Sequence, residues 1–477
     1  MKKLKKQRVY TNNSPRIGLA IFRWLVSIGI LLLGYSAYFY IKPVLHNVFE
    51  KVKASVASYF INSVGSTPVQ DEKGHINFMI VGYGGENHQW GMLADSIMLA
   101  SFNPDLKATT FVSVPRDLYV RYPWWGGGRI NALFASSYYR HGGNFDAAAQ
   151  DLKQKLAKIM GINPDYYVLV SFQWFVDFVD FIGGIDVYLP NGFVDPKYPI
   201  ENWGYTTFRL PKWNVHLDGE TALKFVRSRH STSDFSRSLR QQLVIKKVIQ
   251  KILSDKKYLN PSYIKQLWWE FNKMVVTDLS INEMLGFLRY KDDLKHFFSF
   301  ALNADCENNI FETLMPWCML YFPPRDEFGG AAIILPVGAT ASNPEFYKNV
   351  KDFVFNVVRN QWFLIEDAKI KVLNGVDKDL MKQKFGQTKP LARQTAFLLK
   401  NNGYDIVGVA NAPQTFTGTE VILVWSGTRE QTLQNLKLFV PIDNVVRLED
   451  SDYIDLFDDK MLSGVDILLV LGNKFIE

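Results

Sequence analysis

The stretch DSIMLASFNPDLKATTFVSVPRDLYV, Asp95–Val120, decides the fold. It holds two strand-like runs, DSIMLASFNP and ATTFVSVPRDLYV, separated by the turn NPDLK. The runs are rich in β-branched and apolar residues, and Asn103, Pro104 and Asp105 are turn formers. Working outward, HINFMIVGYGG (75–85) is a buried strand running into a glycine loop. NFDAAAQDLKQKLAKIMG (144–161) has helical spacing and a glycine stop at Gly161. DYYVLVSFQWFVDFVDFIGGIDVYLP packs strand and helix patterns around Gly183 and Gly184, and QQLVIKKVIQKILS (241–254) reads as a long helix. Strands alternating with helices predict a three-layer α/β/α domain.

The chain has 477 residues, room for two or three domains, and 47% of them are hydrophobic. From Ala368 a smaller α/β unit is predicted. AKIKVLNG, YDIVGVANA, TEVILVWSG and GVDILLVLG are its strands, and KPLARQTAFLLKNNG and REQTLQNLKLF its helices. The predicted organisation is a basic leader over 1–23, a transmembrane helix over 24–41, a stalk and linker over 42–75, a catalytic domain over 76–365 and a small α/β domain over 366–477. WLVSIGILLLGYSAYFYI, Trp24–Ile41, carries no charge. As a helix its length is roughly 27 Å, close to the hydrocarbon thickness of a bilayer. Lys2, Lys3, Lys5, Lys6 and Arg8 precede it, so the leader is expected in the cytoplasm and the remainder outside. These five also supply most of the formal charge of +7. The rest is near balance, which argues against a nucleic-acid partner. Cys306 and Cys318 have no metal-site spacing; outside the cytoplasm they are either one disulfide or two thiols.

Chemistry concentrates in KFVRSRHSTSDFSRSLRQQ, Lys224–Gln242. Arg227, Arg229, Arg237 and Arg240 surround one acid, Asp234. On a helix, Asp234, Arg237 and Gln241 share a stripe while Arg240 points away. The stripe starts at a helix N-terminus, which favours anions. Arg227 and Arg229 lie just before it, either extended or at the end of a short helix, DGETALKFVR. Guanidinium forks match phosphate oxygens in pairs, so a diphosphate is the natural occupant. The plain alternative, a set of surface salt bridges, lacks enough acids nearby. Arg116 and Asp117 are expected at the carboxyl end of a strand, where open α/β sheets place ligands. Asp95, at a strand start, is a candidate Mg²⁺ ligand once a phosphate is near. Arg129 and Asn131, in RINALFASSYY, complete the set. VGYGGENHQWG lacks the Lys-Ser/Thr of a P-loop, and His88 reads as an exposed loop residue.

DSIMLASFNPDLKATTFVSVPRDLYV, RINALFA, GGIDVYLP and LDGETALKFVRSRH…DFSRSLRQQ resemble, in that order, the signature segments of the LytR-CpsA-Psr family. The match spans about Asn77–Trp362, and the C-terminal unit resembles the LytR C-terminal domain. The resemblance implies an extracytoplasmic, membrane-anchored phosphotransferase. Such enzymes move a glycopolymer such as teichoic acid from a polyprenyl diphosphate carrier to peptidoglycan or another envelope acceptor, with Mg²⁺ assisting. It also implies a long apolar pocket for the lipid. Carried over by motif, Asp95 is the metal-side acid and Arg116 a diphosphate ligand. Arg129 adds to that set, and Arg227, Arg229, Arg237 and Gln241 line the head-group site, with Asp234 orienting the arginines. Arg237 and Arg116 stabilise charge, and Asp117 or Asp95 takes the proton of the attacking hydroxyl. Where the family commonly has a second loop acid, this chain has Gly84; Glu86 is the nearest substitute. That departure keeps open a lipid-diphosphate hydrolase or binding protein. A membrane-bound transcriptional regulator is the remaining reading, opposed by the predicted span and its charge asymmetry.

Overall fold

The computed structural model describes residues 66–477, except 86–90, 125, 201–203, 229–233, 256–262, 264–265, 267, 272–274, 291–292, 303, 305–318, 425–426, 428 and 477. The leader, the predicted span, residues 42–65 of the stalk, Arg229, Glu86, His88 and both cysteines therefore lie outside the described residues. Among the described residues, no helix is long and apolar enough to cross a membrane.

The strand reading around Asp95–Val120 is borne out as two antiparallel strands, Ala94–Asn103 and Ala108–Val114. The second stops before Pro115, which has no N–H for a ladder. They are central in a six-stranded mixed sheet. Its order is Val275–Thr277, Tyr166–Ser171, Ile76–Tyr83, Ala94–Asn103, Ala108–Val114 and His296–Ala301. Ile76–Tyr83 runs parallel to Tyr166–Ser171 and antiparallel to Ala94–Asn103.

Helices cover both faces. On one, Met79, Val81, Leu99 and Val112 are fully buried with residues of the helices Ile130–Arg140, Phe145–Met160 and Lys348–Arg359. Phe145–Met160 stops at Gly161 as its sequence predicts, and it is capped at both ends. The Asn144 side chain accepts from Ala147 N at 3.0 Å, and Gly161 takes a left-handed φ of 72°. On the other face, Met98, Ala100 and Phe111 meet Ile245 and Ile249 of the helix Asp234–Ser254. Phe78 also packs against Phe287 from the helix Ile281–Phe287. Ile80, Gly82, Val168 and Val170 remain only partly covered, although the facing side of the same strands is sealed.

A second, five-stranded sheet follows, in the order Asp405–Asn411, Lys369–Asn374, Ile467–Leu471, Glu420–Leu423 and Asn444–Arg447. Its flanking helices include Leu391–Asn401 and Glu430–Leu436. The strand Asn444–Arg447 and the helix Lys378–Phe385 were not anticipated from the sequence. Both sheets share one hydrophobic core. Gly403 shows how close they come: a Cβ there would lie 2.9 Å from Leu364 and 3.0 Å from Phe300.

The segment 66–75, expected as linker, is bound to the globular unit instead. Ser66 N donates to Asn282 O, Val69 N donates to Tyr166 Oη, and Asp71 pairs with Arg359 at 2.6 Å.

Candidate active site

Most of the described candidate residues meet at one end of the six-stranded sheet. Ile76–Tyr83, Ala108–Val114 and Tyr166–Ser171 end there, and Ala94–Asn103 begins there. Asp95 is placed by a β-bulge. Gly82 pairs with Ser96 and Tyr83 with Ala94, so Asp95 is the extra residue of the ladder. A bulge re-aims one side chain without disturbing the face beyond it. Here it presents the Asp95 carboxylate to Arg116, Oδ1 to Nη1, at 2.6 Å.

Arg116 and Asp117 follow Pro115, beyond the end of their strand. Arg116 Nε lies 3.8 Å from Asp117 Oδ2. Asp117 Oδ1 lies 3.3 Å from Arg129 Nε, which also donates to Ala332 O at 3.0 Å. Asp95, Arg116, Asp117 and Arg129 thus form one continuous chain of alternating charge. Arg116 Nε is buried and makes no hydrogen bond, so this guanidinium is held in place but not saturated. Asn131, read beside Arg129, is buried in the first turn of the helix Ile130–Arg140. Its backbone N–H donates to Arg116 O at 3.2 Å, fixing the loop from behind.

The stripe of the Asp234–Ser254 helix reaches the same place. Ser96 Oγ donates to Gln241 Oε1 at 2.9 Å, one residue from Asp95. Arg237 is one turn earlier on that face and only 6% exposed. Gln242, the next residue, donates to Ser113 Oγ at 2.8 Å and to Phe300 O at 2.7 Å. The two glutamines pin the helix across three strands. The helix begins at Asp234, as predicted; the side chain of Asp234 lies outside the described residues, as does all of Arg229.

Arg227 is the last residue of the helix Gly219–Arg227, which settles the choice between an extended and a helical segment. Asp218 caps the other end, accepting from Thr221 N at 2.8 Å. Arg227 lies at the negative end of the helix dipole. Its guanidinium stacks 4.7 Å above the Phe172 ring. Burial pushes the nearby Tyr198 phenol up, and the charge of Arg227 pulls it partly back.

Arg240 does face away from the stripe, but it is not idle. It is 8% exposed; Nε donates to Phe225 O at 3.0 Å and Nη2 donates to Ser228 O. Its guanidinium lies over the Phe193 ring at 4.9 Å. Burial lowers its pKa to about 10, against the opposing charge of the buried Asp195. Arg240 therefore ties the end of the Arg227 helix to the Arg237 helix. Periodicity signals only its direction; its partners lie 12 and 15 residues away in sequence.

Among the described residues no group of three or more His, Cys, Asp or Glu converges. The carboxylates present suit a cation that takes one or two protein oxygens and the rest from phosphate, the habit of Mg²⁺. Asp95 does not stand alone as a metal ligand: one of its oxygens is engaged by Arg116. Gly84, just past the strand Ile76–Tyr83, adds no carboxylate.

Fold and site together define an α/β protein with arginines and carboxylates gathered at one end of its six-stranded sheet. The profile of the LytR_cpsA_psr family matches residues 44–309, more than half of the chain, and the protein belongs to that family. It is 29% identical over 241 residues to the polyisoprenyl-teichoic acid–peptidoglycan teichoic acid transferase TagU of Bacillus cereus. That alignment covers 48% of this chain and 71% of TagU. The crystal structure of Bacillus subtilis TagV aligns at 20% identity with a TM-score of 0.44, covering 60% of this chain and 98% of TagV. TagT bound to LIIa-WTA aligns at 22% with a TM-score of 0.43, covering 62% and 98%.

Proposed function

We propose that the protein is a membrane-anchored phosphotransferase. It moves a glycopolymer from a polyprenyl diphosphate carrier to peptidoglycan or a related envelope acceptor. The observation that carries this reading is the continuous Asp95–Arg116–Asp117–Arg129 chain, joined through Ser96–Gln241 to the Arg237 stripe. Relatives named as teichoic acid transferases support the same reaction class.

In this reading Arg116, Arg237 and Arg227 grip the diphosphate, and Arg229 is assigned the same task from its place in the sequence motif. The acceptor hydroxyl oxygen attacks the phosphorus nearer the glycan. The bond from that phosphorus to the bridging oxygen breaks, and polyprenyl monophosphate departs with the bond's electron pair. The new P–O bond leaves a phosphodiester between polymer and acceptor. Asp117 takes the hydroxyl proton: its contacts are 3.3 and 3.8 Å, whereas Asp95 is held at 2.6 Å. The arginines stabilise the charge that grows on the bridging and leaving oxygens. A Mg²⁺ ion held by Asp95 and phosphate oxygens would neutralise further charge on the diphosphate. The lipid tail is assigned to the half-covered apolar face around Phe78, Ile80, Val168 and Val170, between the Asp234–Ser254 and Ile281–Phe287 helices. Trp24–Ile41 serves as the anchor with the leader in the cytoplasm, because the lipid donor stays in the bilayer. Residues 366–477 are assigned as a LytR C-terminal domain.

The test is incubation of the purified full chain with a polyprenyl diphosphate-linked glycan and peptidoglycan. Phosphodiester-linked product is expected. Release of glycan without transfer would favour a hydrolase, and retention alone a binding protein.

A further inference from the structure

A cavity of about 390 Å³ opens beside Arg129. Its walls include Tyr119, Gly127, Glu327, Phe328 and Ala341, and neither Asp95 nor Arg116 lines it. The volume falls within the usual range for small-ligand sites. The Tyr119 and Phe328 rings meet at a centroid distance of 5.2 Å and an angle of 59°. Glycine is needed opposite Tyr119, because a Cβ on Gly127 would fall 2.8 Å from the backbone Val120 O as well as 2.6 Å from the Tyr119 hydroxyl. The other wall ends at Gly329, whose φ of 63° closes the turn Arg325–Phe328.

This cavity is tied rigidly to the candidate base. Ile334 N donates to Asp117 O at 3.0 Å, and Tyr119 N donates to Ile334 O at 2.9 Å. Arg129 belongs to both places, lining the cavity while its Nε sits 3.3 Å from Asp117. The chemistry differs from that of the arginine cluster. Aromatic rings suit the C–H face of a pyranose. The Glu327 carboxylate accepts hydroxyl hydrogens and repels a phosphate, while Arg129 donates to ring or amide oxygens.

We infer that this cavity is the acceptor subsite, holding one neutral N-acetylated sugar residue with its attacking hydroxyl directed past Arg129 towards Asp117. The inference rests on the transferase reading for its reaction, but saccharide binding is measurable without any turnover. Glu327 and Ala341 are exposed, so Glu327→Gln and Ala341→Trp alter the cavity without touching the core. The full chain is assayed with a soluble peptidoglycan disaccharide oligomer as acceptor and a polyprenyl diphosphate glycan as donor. Both variants are expected to raise the acceptor KM about tenfold while leaving the donor KM unchanged. Saturation-transfer NMR with the oligomer alone is expected to show sugar signals for the parent chain that weaken in both variants. An unmoved acceptor KM, a shift in the donor KM instead, or no saturation transfer from the parent chain to the oligomer overturns the assignment. Binding that both variants weaken, in a chain that transfers nothing, upholds the subsite and sinks the transferase reading.

Discussion

Arg116 is held by Asp95, while its buried Nε faces Asp117 at 3.8 Å without a hydrogen bond. A guanidinium fixed in this way needs no reorganisation when a phosphate arrives, which is where preorganised charge is most effective. Arg116→Ala is expected to lower kcat on the order of a hundred- to a thousand-fold with donor still bound. Unchanged turnover in the transfer assay would remove the residue from the mechanism. If Asp95 holds Mg²⁺ as proposed, Gly84→Asp would offer a second carboxylate, and its expected effect is a drop of about tenfold in half-saturating Mg²⁺. A titration of rate against Mg²⁺ checks it, and an unmoved midpoint sinks the Asp95 assignment. Arg240 is different in kind. Arg240→Ala is expected to cost about 3 kcal/mol, because two carbonyls and the buried Asp195 lose their partner. Denaturant melting measures this. The Pro-Arg-Asp triplet and the stripe of Arg237 and Gln241 were legible from sequence, since strand ends and helical spacing are local facts. The bulge at Asp95, the Ser96–Gln241 bond and the anchoring task of Arg240 were not, because each depends on a distant strand or helix.

At the level of elements, the site is an arrangement of ends. Three strands stop and one starts where the Asp234–Ser254 helix begins its first turns. The arginine segment gains its position from a helix pair. Gly219 approaches the Phe172–Phe181 helix so closely that a Cβ would lie 2.3 Å from Val176 O. Gly219 N also donates to Asp180 Oδ1 at 2.7 Å. At the other end of the pair, Arg227 stacks on Phe172. Gly219→Ala forces the two backbones apart, and a loss of about 2 kcal/mol is expected from such overpacking. The displaced Arg227 should also raise the donor KM. A variant with unchanged melting and unchanged KM would show that the pair does not position the arginine. Ser171 and Asp218 cap the two helices locally, accepting from Trp174 N and Thr221 N, but nothing local reveals that their backbones touch. Pairing across the sheet was hidden for the same reason: apolar runs report burial, whereas order and register depend on every strand together.

At the scale of the whole molecule, the two sheets act as one body. Their core is continuous, and Glu366 links them at the junction, its carboxylate accepting from Thr432 N at 2.8 Å and Gln431 N at 3.1 Å. The 71–77 segment is tied to the same body. Asp71 accepts from Asn77 Nδ2 at 2.8 Å and pairs with Arg359, from the helix Lys348–Arg359. His75 is 3% exposed within this network. Asn103 Oδ1 accepts from Leu106 N, so its Nδ2 donates to His75 Nε2. The ring is therefore neutral, with its proton on Nδ1 towards Ser101 Oγ. Burial, then the Arg359 charge, lowers the His75 pKa to about 4. Burial alone would raise that of Asp71, but the bonds from Arg359 and Asn77 and two backbone N–H groups bring it to about 2. Both folded values lie below the unfolded ones, so the unfolded chain binds protons first as pH falls. Stability should decline from about pH 6.5 to pH 4 through His75, by about 3 kcal/mol. A further loss through Asp71 follows from about pH 4 to pH 2. His75→Gln should flatten the first part and leave the second. Denaturant midpoints collected across this range decide the matter: a curve for the parent chain that stays level between pH 6.5 and pH 4 would show that the network does not hold the 71–77 segment to the fold.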